Sequence, residues 1–494
     1  MKLCINNYFL KARTSLVLLL SSSLLVACTT GPNYQRPEMD LPNHWETNKP
    51  SAISPATEKP VNAAGERWWS LYADPILDKI EDEALAHNVD AQVATARILE
   101  ARAQLGIAES DQYPKLNFNG AQSRTKRSIN PGFFIPPVRI QNLTRLTLDA
   151  SYELDLWGKY RRVSEASRAD LFATQSNRDT VRLSLTAQVA QQYFALLSTD
   201  AQILAIRQVL AGRQERLALD KKRFEVGVIS EYELHQSVAD ADTAQSQLIS
   251  VTQALDQQET SLALLLGRSP RDVMNGKLER GNPTLTKIWV PDGLPAELLL
   301  RRPDIQEAEQ KLIAMNARIG AARAQFFPSI SLTSYLGSES ISLSSLFTGP
   351  AGIFQFAAGL GQPIFNAGRI KFGIKVAESR RDQALAQYKQ AVASAFADVR
   401  NALFAQQSAR QTLTAESSRS RALSKAYKQA ELRYRVGISS RLEFLDVERN
   451  YLQAELNRID AERAQRMAVA DLFKALAGGW QQPTVMQTHR AVPS

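Results

Sequence analysis

The stretch RYRVGISSRLEFLD, residues 433–446, has a close copy in RFEVGVISEYELHQ, residues 223–236, 210 positions earlier. Each places Val-Gly inside sequence that otherwise reads as unbroken helix. Between Gly158 and Val226 there is no proline, and Gly368 to Val436 has the same length and the same lack of proline. A helix over such a span of 69 residues would reach roughly 100 Å, which exceeds globular helices and argues for coiled-coil packing. The apolar positions Leu185, Val189, Leu196, Ile203, Ile206 and Leu210 follow a 3/4 spacing, with Gln192 and Thr199 filling the gaps. That spacing predicts a narrow buried stripe on a helix packed side by side with others. After each Val-Gly a returning helix of about forty residues is expected, ending near Leu266 and near Ala477. Gly227 and Gly437 are then the turns of two long helical hairpins, where a positive φ is easiest without a β-carbon.

The hairpin phrase is one of three landmarks that recur in order. Gly106 and Pro114 in GIAESDQYPKL match Gly320 and Pro328 in GAARAQFFPSI, and Trp157-Gly158-Lys159 matches Ala367-Gly368-Arg369. One unit is therefore used twice. The boundaries predicted are a signal peptide at 1–27, an N-terminal lipid-anchored extended segment at 28–71, a first repeat at 72–270, a linker at 271–296, a second repeat at 297–480 and a tail at 481–494.

Between the proline landmark and the long helix, the period switches from helical to alternating. In TRLTLDASYELDLW, residues 144–157, Leu146, Leu148, Ala150, Tyr152, Leu154 and Leu156 point one way and Thr147, Asp149, Ser151, Glu153 and Asp155 the other. Such alternation fits a membrane barrel strand, and equally a half-buried strand of a soluble sheet. KLNFNG from Lys115, PSISLTSYLG from Pro328 and IFQFAAGLGQPIF from Ile353 supply three more strands. The loops containing SINPGFFIPP and SLSSLFTGPAG read as the exposed ends of two β-hairpins. Four strands cannot close a membrane barrel, and an open edge in lipid leaves backbone groups unsatisfied. Strands that cross a membrane here require an oligomer.

The first 27 residues combine Lys2, Lys11 and Arg13 with a short apolar run, the pattern of a secretory signal. The run ends in Leu25-Val26-Ala27-Cys28, similar to the bacterial lipoprotein box, in which cleavage precedes acylation of the Cys. Thr29 follows where an Asp would signal inner-membrane retention, which points to the outer membrane. Cleavage would also remove Cys4, so the mature chain has no possible internal disulfide. It leaves a net charge of +6 in place of +9, weak support for any polyanion partner, and no nucleic-acid role is expected. His44, His87, His235 and His489 are scattered without metal-ligand spacing. GRIKFGIK from Gly368 lacks the Gly-Lys-Ser/Thr of a phosphate loop. No enzymatic activity, resident metal or cofactor is expected beyond a covalent lipid on Cys28.

Taken together, GPNYQRPE, YELDLWGKYRR, LPAELLLRRPDIQEAEQKL, GAARAQFFPSISLTS, RYRVGISSRLEFLD and KALAGGW resemble the TolC-like outer-membrane efflux ducts, most closely their OprM-like lipoprotein branch. The resemblance covers essentially the whole mature chain. It implies a mainly α fold with a membrane β-barrel: a homotrimer in which four strands per chain build a 12-stranded barrel and helical hairpins build a periplasmic α-barrel. It also implies a passive duct for drugs and other small toxic compounds, partnered by a periplasmic adaptor (membrane fusion protein) and an inner-membrane efflux pump, and seated in outer-membrane lipid. The family gate carries over onto Leu442 as an apolar constriction, Asp446 as an acidic ring and Arg449 beside it, with Glu443 a second acidic candidate. Threefold symmetry would converge three carboxylates on one axis, attracting cations and repelling anions. Arg433 and Tyr434 resemble latch residues that hold closed tips together. In the first copy Tyr232, Glu233 and Gln236 occupy the gate positions, so the two hairpins should contribute unequally. A protein-secretion duct and a lipid-anchored coiled-coil scaffold are the alternatives; the scaffold leaves the alternating strands unexplained.

Overall fold

The structure is a computed structural model that describes residues 30–40, 65–126, 140–275, 277–284 and 300–478. The signal peptide, Cys28, the SINPGFFIPP loop, much of the 271–296 linker and the 481–494 tail lie outside the described residues. The elements, in chain order, are α1 (Pro75–His87), α2 (Val89–Ser110), β1 (Lys115–Lys126), β2 (Ile140–Leu154), α3 (Lys159–Glu225), α4 (Glu231–Leu265), α5 (Pro270–Asn275), α6 (Pro303–Ala324), β3 (Ser329–Ser340), β4 (Gly352–Gly361), α7 (Arg369–Arg435) and α8 (Arg441–Ala475). The duplication is reproduced in length: α3 and α7 each have 67 residues, α4 and α8 each 35. The returning helices are thus somewhat shorter than the sequence suggested, because Ser230 and Ser440 cap them at their N-termini. The chain forms two compact units, each drawing segments from both repeats.

The first unit comprises residues up to Glu38, Arg97–Thr174 and Glu307–Tyr388. Its centre is an antiparallel sheet in the order β1-β2-β3-β4. The register sets Phe118 against Leu148, Leu148 against Leu336, and Leu336 against Phe354, so the apolar positions of all four strands share one face. Leu116, Phe118, Leu148, Leu336, Phe354, Phe356 and Leu360 are exposed there, Phe356 by 81%. The other face carries Asn117, Asn119, Thr147, Asp149, Ser331, Thr333 and Gln355, with Asn119 donating to Asp149. Two strands end earlier than the alternation suggested. β4 stops at Gly361, before Pro363 removes a ladder donor. β2 stops at Leu154 because the Asp155 carboxylate turns to accept the Arg161 N–H at the start of α3, which leaves Leu156 outside the strand.

An extended strap, residues 30–38, lies along this unit. Thr30 donates from its backbone N–H to the Trp157 carbonyl (3.1 Å), Arg162 reaches Asn33 Oδ1 (2.8 Å), Asn316 donates to the Pro32 carbonyl (2.9 Å), and Arg36 holds both Glu309 oxygens at 2.7 and 2.6 Å. Gly31 (φ +98°) and Gly320 approach so closely that a β-carbon on Gly31 would lie 2.5 Å from the Gly320 Cα. The glycine landmark of the second repeat is therefore a strap contact; Gly106, its counterpart, has open space.

In the second unit, Met39–Ala96, Gln175–Gln306 and Lys389–Ser494, a 3-10 turn at Gly65–Tyr72 drives Trp68, Trp69 and Tyr72 into the helices. Trp68 stacks on Phe473 at 5.6 Å, and Tyr72 meets Phe194 at 4.6 Å and donates to the Arg466 carbonyl at 2.7 Å. All six predicted stripe residues of α3 are buried, as is Thr199. Gln192 is instead exposed, and its gap is filled by Tyr193 and Phe194. Against the aromatic wedge the buried surface widens beyond a narrow stripe to include Ala187 and Ala190. Asp74 caps α1 by accepting from the Ile76 and Leu77 N–H groups, with Pro75 at the first helical position.

Glu81 of α1 is fully buried, and neither carboxylate oxygen has a hydrogen-bond partner among the described residues. Burial pushes its pKa well up, reinforced by Asp82 and Asp78. A raised carboxyl pKa costs nothing while the group is protonated in both folded and unfolded chains, and the cost grows as pH rises past the unfolded value. Glu81→Gln should therefore leave the thermal midpoint unchanged below about pH 4 and raise it progressively toward neutrality. Melting curves followed by circular dichroism across that range would show a pH-independent difference if Glu81 were ionised and compensated.

Candidate functional site: the helical hairpin tips

The two tips are built alike. In the first, the Gly227 N–H reaches the Phe224 carbonyl (2.9 Å) and the Val228 N–H the Arg223 carbonyl (2.8 Å); in the second, Gly437 pairs with Tyr434 (3.1 Å) and Ile438 with Arg433 (2.8 Å). Gly227 and Gly437 have φ of +71° and +76°, and a β-carbon at either would meet nothing within 4 Å. Dihedral angle alone requires glycine here, in a helix-ending turn that uses carbonyls the helix leaves free. Ser230 and Ser440 then start α4 and α8, each accepting from the N–H three residues on. Only the first copy completes a capping box, with Glu233 accepting from the Ser230 amide at 2.8 Å. That backbone bond, then the Ser230 hydroxyl, holds the Glu233 carboxylate below its usual range.

On α8 the predicted gate residues divide by face. Leu442 is 74% exposed, and Asp446, four residues on, is also exposed. Arg449 donates to Asp446 Oδ1 at 2.6 Å and Asn450 to its other oxygen at 3.1 Å. Leu442, Asp446 and Arg449 thus form one exposed stripe. Glu443, at the third helical position, is exposed and has no ion pair among the described residues. The latch candidates behave differently from each other. Tyr434 stacks on Phe444 at 5.2 Å within its own hairpin, and Arg433 stands exposed with no ion pair among the described residues.

The hairpins are instead joined by charges on the inward face. Arg441 donates to Asp220 (3.1 Å), to Asp240 (3.4 Å) and to the Glu233 carbonyl (3.0 Å), while Ser237 also donates to the buried Asp220. Two turns further along α8, buried Glu448 is clamped by Arg213 Nε at 2.9 Å and Arg216 Nη2 at 2.5 Å. Arg216 also lies over the ring of buried Phe444, 4.8 Å from its centroid.

The sequence profile described as outer membrane efflux protein matches residues 81–268 and 294–478. The cation efflux system protein CusC of Escherichia coli O6:H1 is 33% identical over 93% of this chain and 97% of its own length. The toluene efflux pump outer membrane protein TtgC of Pseudomonas putida is 34% identical over 97% and 98%. Among solved structures, the Campylobacter jejuni CmeC outer membrane channel superposes with a TM-score of 0.85 at 28% identity, covering 92% of this chain and 96% of that one. This chain belongs to the outer membrane efflux protein family. It is an efflux channel of the bacterial outer membrane, with a mainly helical fold and strands that serve a membrane barrel.

Six charged residues of this efflux channel's tip network escaped the sequence reading: Asp220, Arg213, Arg216, Asp240, Arg441 and Glu448. A signal was present. Continued past Leu210, the α3 stripe falls on Arg213, Leu217 and Asp220, and the corresponding stripe of α8 runs Arg441, Phe444, Glu448, Leu452. A charge at a stripe position must meet a partner across the helix interface, since burying it alone is prohibitive.

The two linkages should differ in strength. Glu448→Gln leaves two arginines facing a neutral group and is expected to cost about 3 kcal/mol. Arg441→Ala leaves Asp220 with Ser237 and, at 3.9 Å, with Arg223, and should cost about 1–2 kcal/mol. Amide hydrogen exchange at residues 228–236 and 438–446 checks the second, where faster exchange should appear without a comparable fall in global stability.

Proposed function

We propose that the protein works as a homotrimer whose three sheets close one 12-stranded barrel, with Cys28 acylated and held in outer-membrane lipid, and with the hairpin tips forming a periplasmic gate. An adaptor protein and an inner-membrane pump deliver drugs and other small toxic compounds to it; the duct itself is passive. Support for the trimer comes from the sheet: β1 and β4 are free edges within one chain, and a lipid-facing sheet cannot keep them open.

The observation that carries the gate reading is the exposed stripe of Leu442, Asp446 and Arg449, opposite the face that buries Phe444 and Glu448. A large apolar side chain next to a carboxylate, with no use inside the chain, suits a surface that converges on symmetry mates. Leu442 would narrow the opening sterically, and three copies of Asp446 would set the sign of the ions that pass. Glu443 stands close enough in sequence to add to that field; its equivalent in the first copy, Glu233, is committed to capping. Between the hairpins of one chain the link is Arg441; Arg433 and Tyr434 are kept as latch residues between the closed tips of the assembled channel.

Single-channel conductance of the purified protein in a planar bilayer tests this. The native channel should conduct weakly, and Leu442→Ala with Asp446→Ala should raise conductance several-fold and reduce cation preference. Equal conductance in both would move the gate away from this stripe, and absence of conductance in both would remove the duct reading.

A further inference from the structure

We infer that the turn between β4 and α7 binds the anionic headgroups of membrane phospholipid, holding the foot of β4 at the periplasmic surface of the membrane. Ile364 and Phe365 are 91% and 89% exposed, and Phe372, one turn into α7, is also exposed. They follow directly on the apolar face of β4, where Phe354, Phe356 and Leu360 are exposed, so the same lipid-facing surface extends past the strand. The turn is defined: Ala367 and Gly368 have φ of +52° and +83°, and the Arg369 N–H donates to the Asn366 carbonyl at 3.0 Å.

Interleaved with these apolar residues are Arg369, Lys371 and Lys375, all exposed and none in an ion pair among the described residues. Nothing in the local sequence neutralises them. No acid occurs from Ser340 to Ala377, and the next, Glu378, is taken by Arg323 at 2.8 Å. The first turn of α7 has no acidic residue either, so its free N–H groups add to the positive field.

The matching place in the first repeat has the opposite arrangement. Lys159 pairs with Glu153 (3.0 Å), Arg161 with Asp155 (3.4 Å) and Arg162 with Glu165 (2.8 Å). Both repeats therefore carry cations where a strand gives way to a long helix, and only the second leaves them unpaired beside exposed aromatic and aliphatic side chains. That combination is what a membrane interface attracts: large apolar groups at headgroup depth and cations at an anionic surface.

The test uses the full-length channel, delipidated in detergent and titrated with phosphatidylglycerol or phosphatidylcholine, with bound lipid counted by native mass spectrometry. The inference rests on the membrane placement of the sheet, so insertion of the native protein into vesicles is checked separately. The native channel should prefer phosphatidylglycerol by about tenfold or more, since each basic residue near an anionic surface contributes appreciably. Arg369→Gln with Lys371→Gln and Lys375→Gln should bring the preference close to unity, as should 0.5 M salt, which shortens screening to a few ångströms (~4 Å). Lys159→Gln should leave it intact. An unchanged preference in the triple variant overturns the inference. So does a triple variant that keeps its lipid preference and loses oligomerisation, which would mean the cations meet acids of a second copy. Phe365→Ser, which leaves every charge in place, should weaken binding of both lipids, and binding of both at native strength would also count against it.

Discussion

A backbone N–H or C=O without a partner in hydrocarbon costs several kcal/mol, and the two free edges of the four-stranded sheet present a row of such groups. The sheet's face of exposed Phe118, Leu336, Phe354 and Phe356 has no use in water, and its edges have no tolerable state in lipid within one chain. Both problems have one solution: edges that meet edges of other copies. The rest of the molecule follows from that requirement. If several chains close the barrel as proposed, side chains that look stranded in a single chain can find a place against a neighbour.

At the hairpin tips the same logic separates structural from functional charge. Residues on the inward stripe, Asp220, Arg213, Arg441 and Glu448, are consumed in joining one hairpin to the other. Those off the stripe, Leu442, Asp446 and Arg449, are exposed and have no hydrogen bond or ion pair to the other hairpin among the described residues. Asp446 keeps its negative charge close to Arg449 on its own helix, which tempers the field of the carboxylate without removing it from the opening. Separating that pair would strengthen the field without moving the backbone.

Much of the fold was legible because its periods are unambiguous. A Val-Gly turn in each copy and two proline-free spans placed the hairpins to within a few residues, alternation marked β2, and the duplication supplied the other three strands. Less legible was whatever depended on residues remote in sequence. The Trp68, Trp69 and Tyr72 wedge sits in a 3-10 turn without period, and it broadened the buried face of α3 around Tyr193 and Phe194. Strand ends were set by particular side chains, Asp155 and Pro363, which alternation does not register. For the gate, a family motif placed Leu442 and Asp446 on the helix, whereas the link between hairpins had to be read from which charges fall on a core stripe.

Duplication gives two copies of one backbone, and the differences between them then show where each copy is specialised. The two long helices have equal lengths, as do the two returning helices, and both tip glycines serve the same turn. The copies part in how they use charge. In the first, Glu233 is spent on a capping box and the cations after Trp157 are matched by Glu153, Asp155 and Glu165. In the second, the corresponding acid Glu443 and the cations after Ala367 are left exposed. A repeat whose polar groups satisfy one another can only support; one that leaves them exposed in the single chain can meet something else, as the proposed gate and the proposed lipid contact require. On the proposed reading the first repeat is therefore the frame of each protomer, and the second carries its working surfaces.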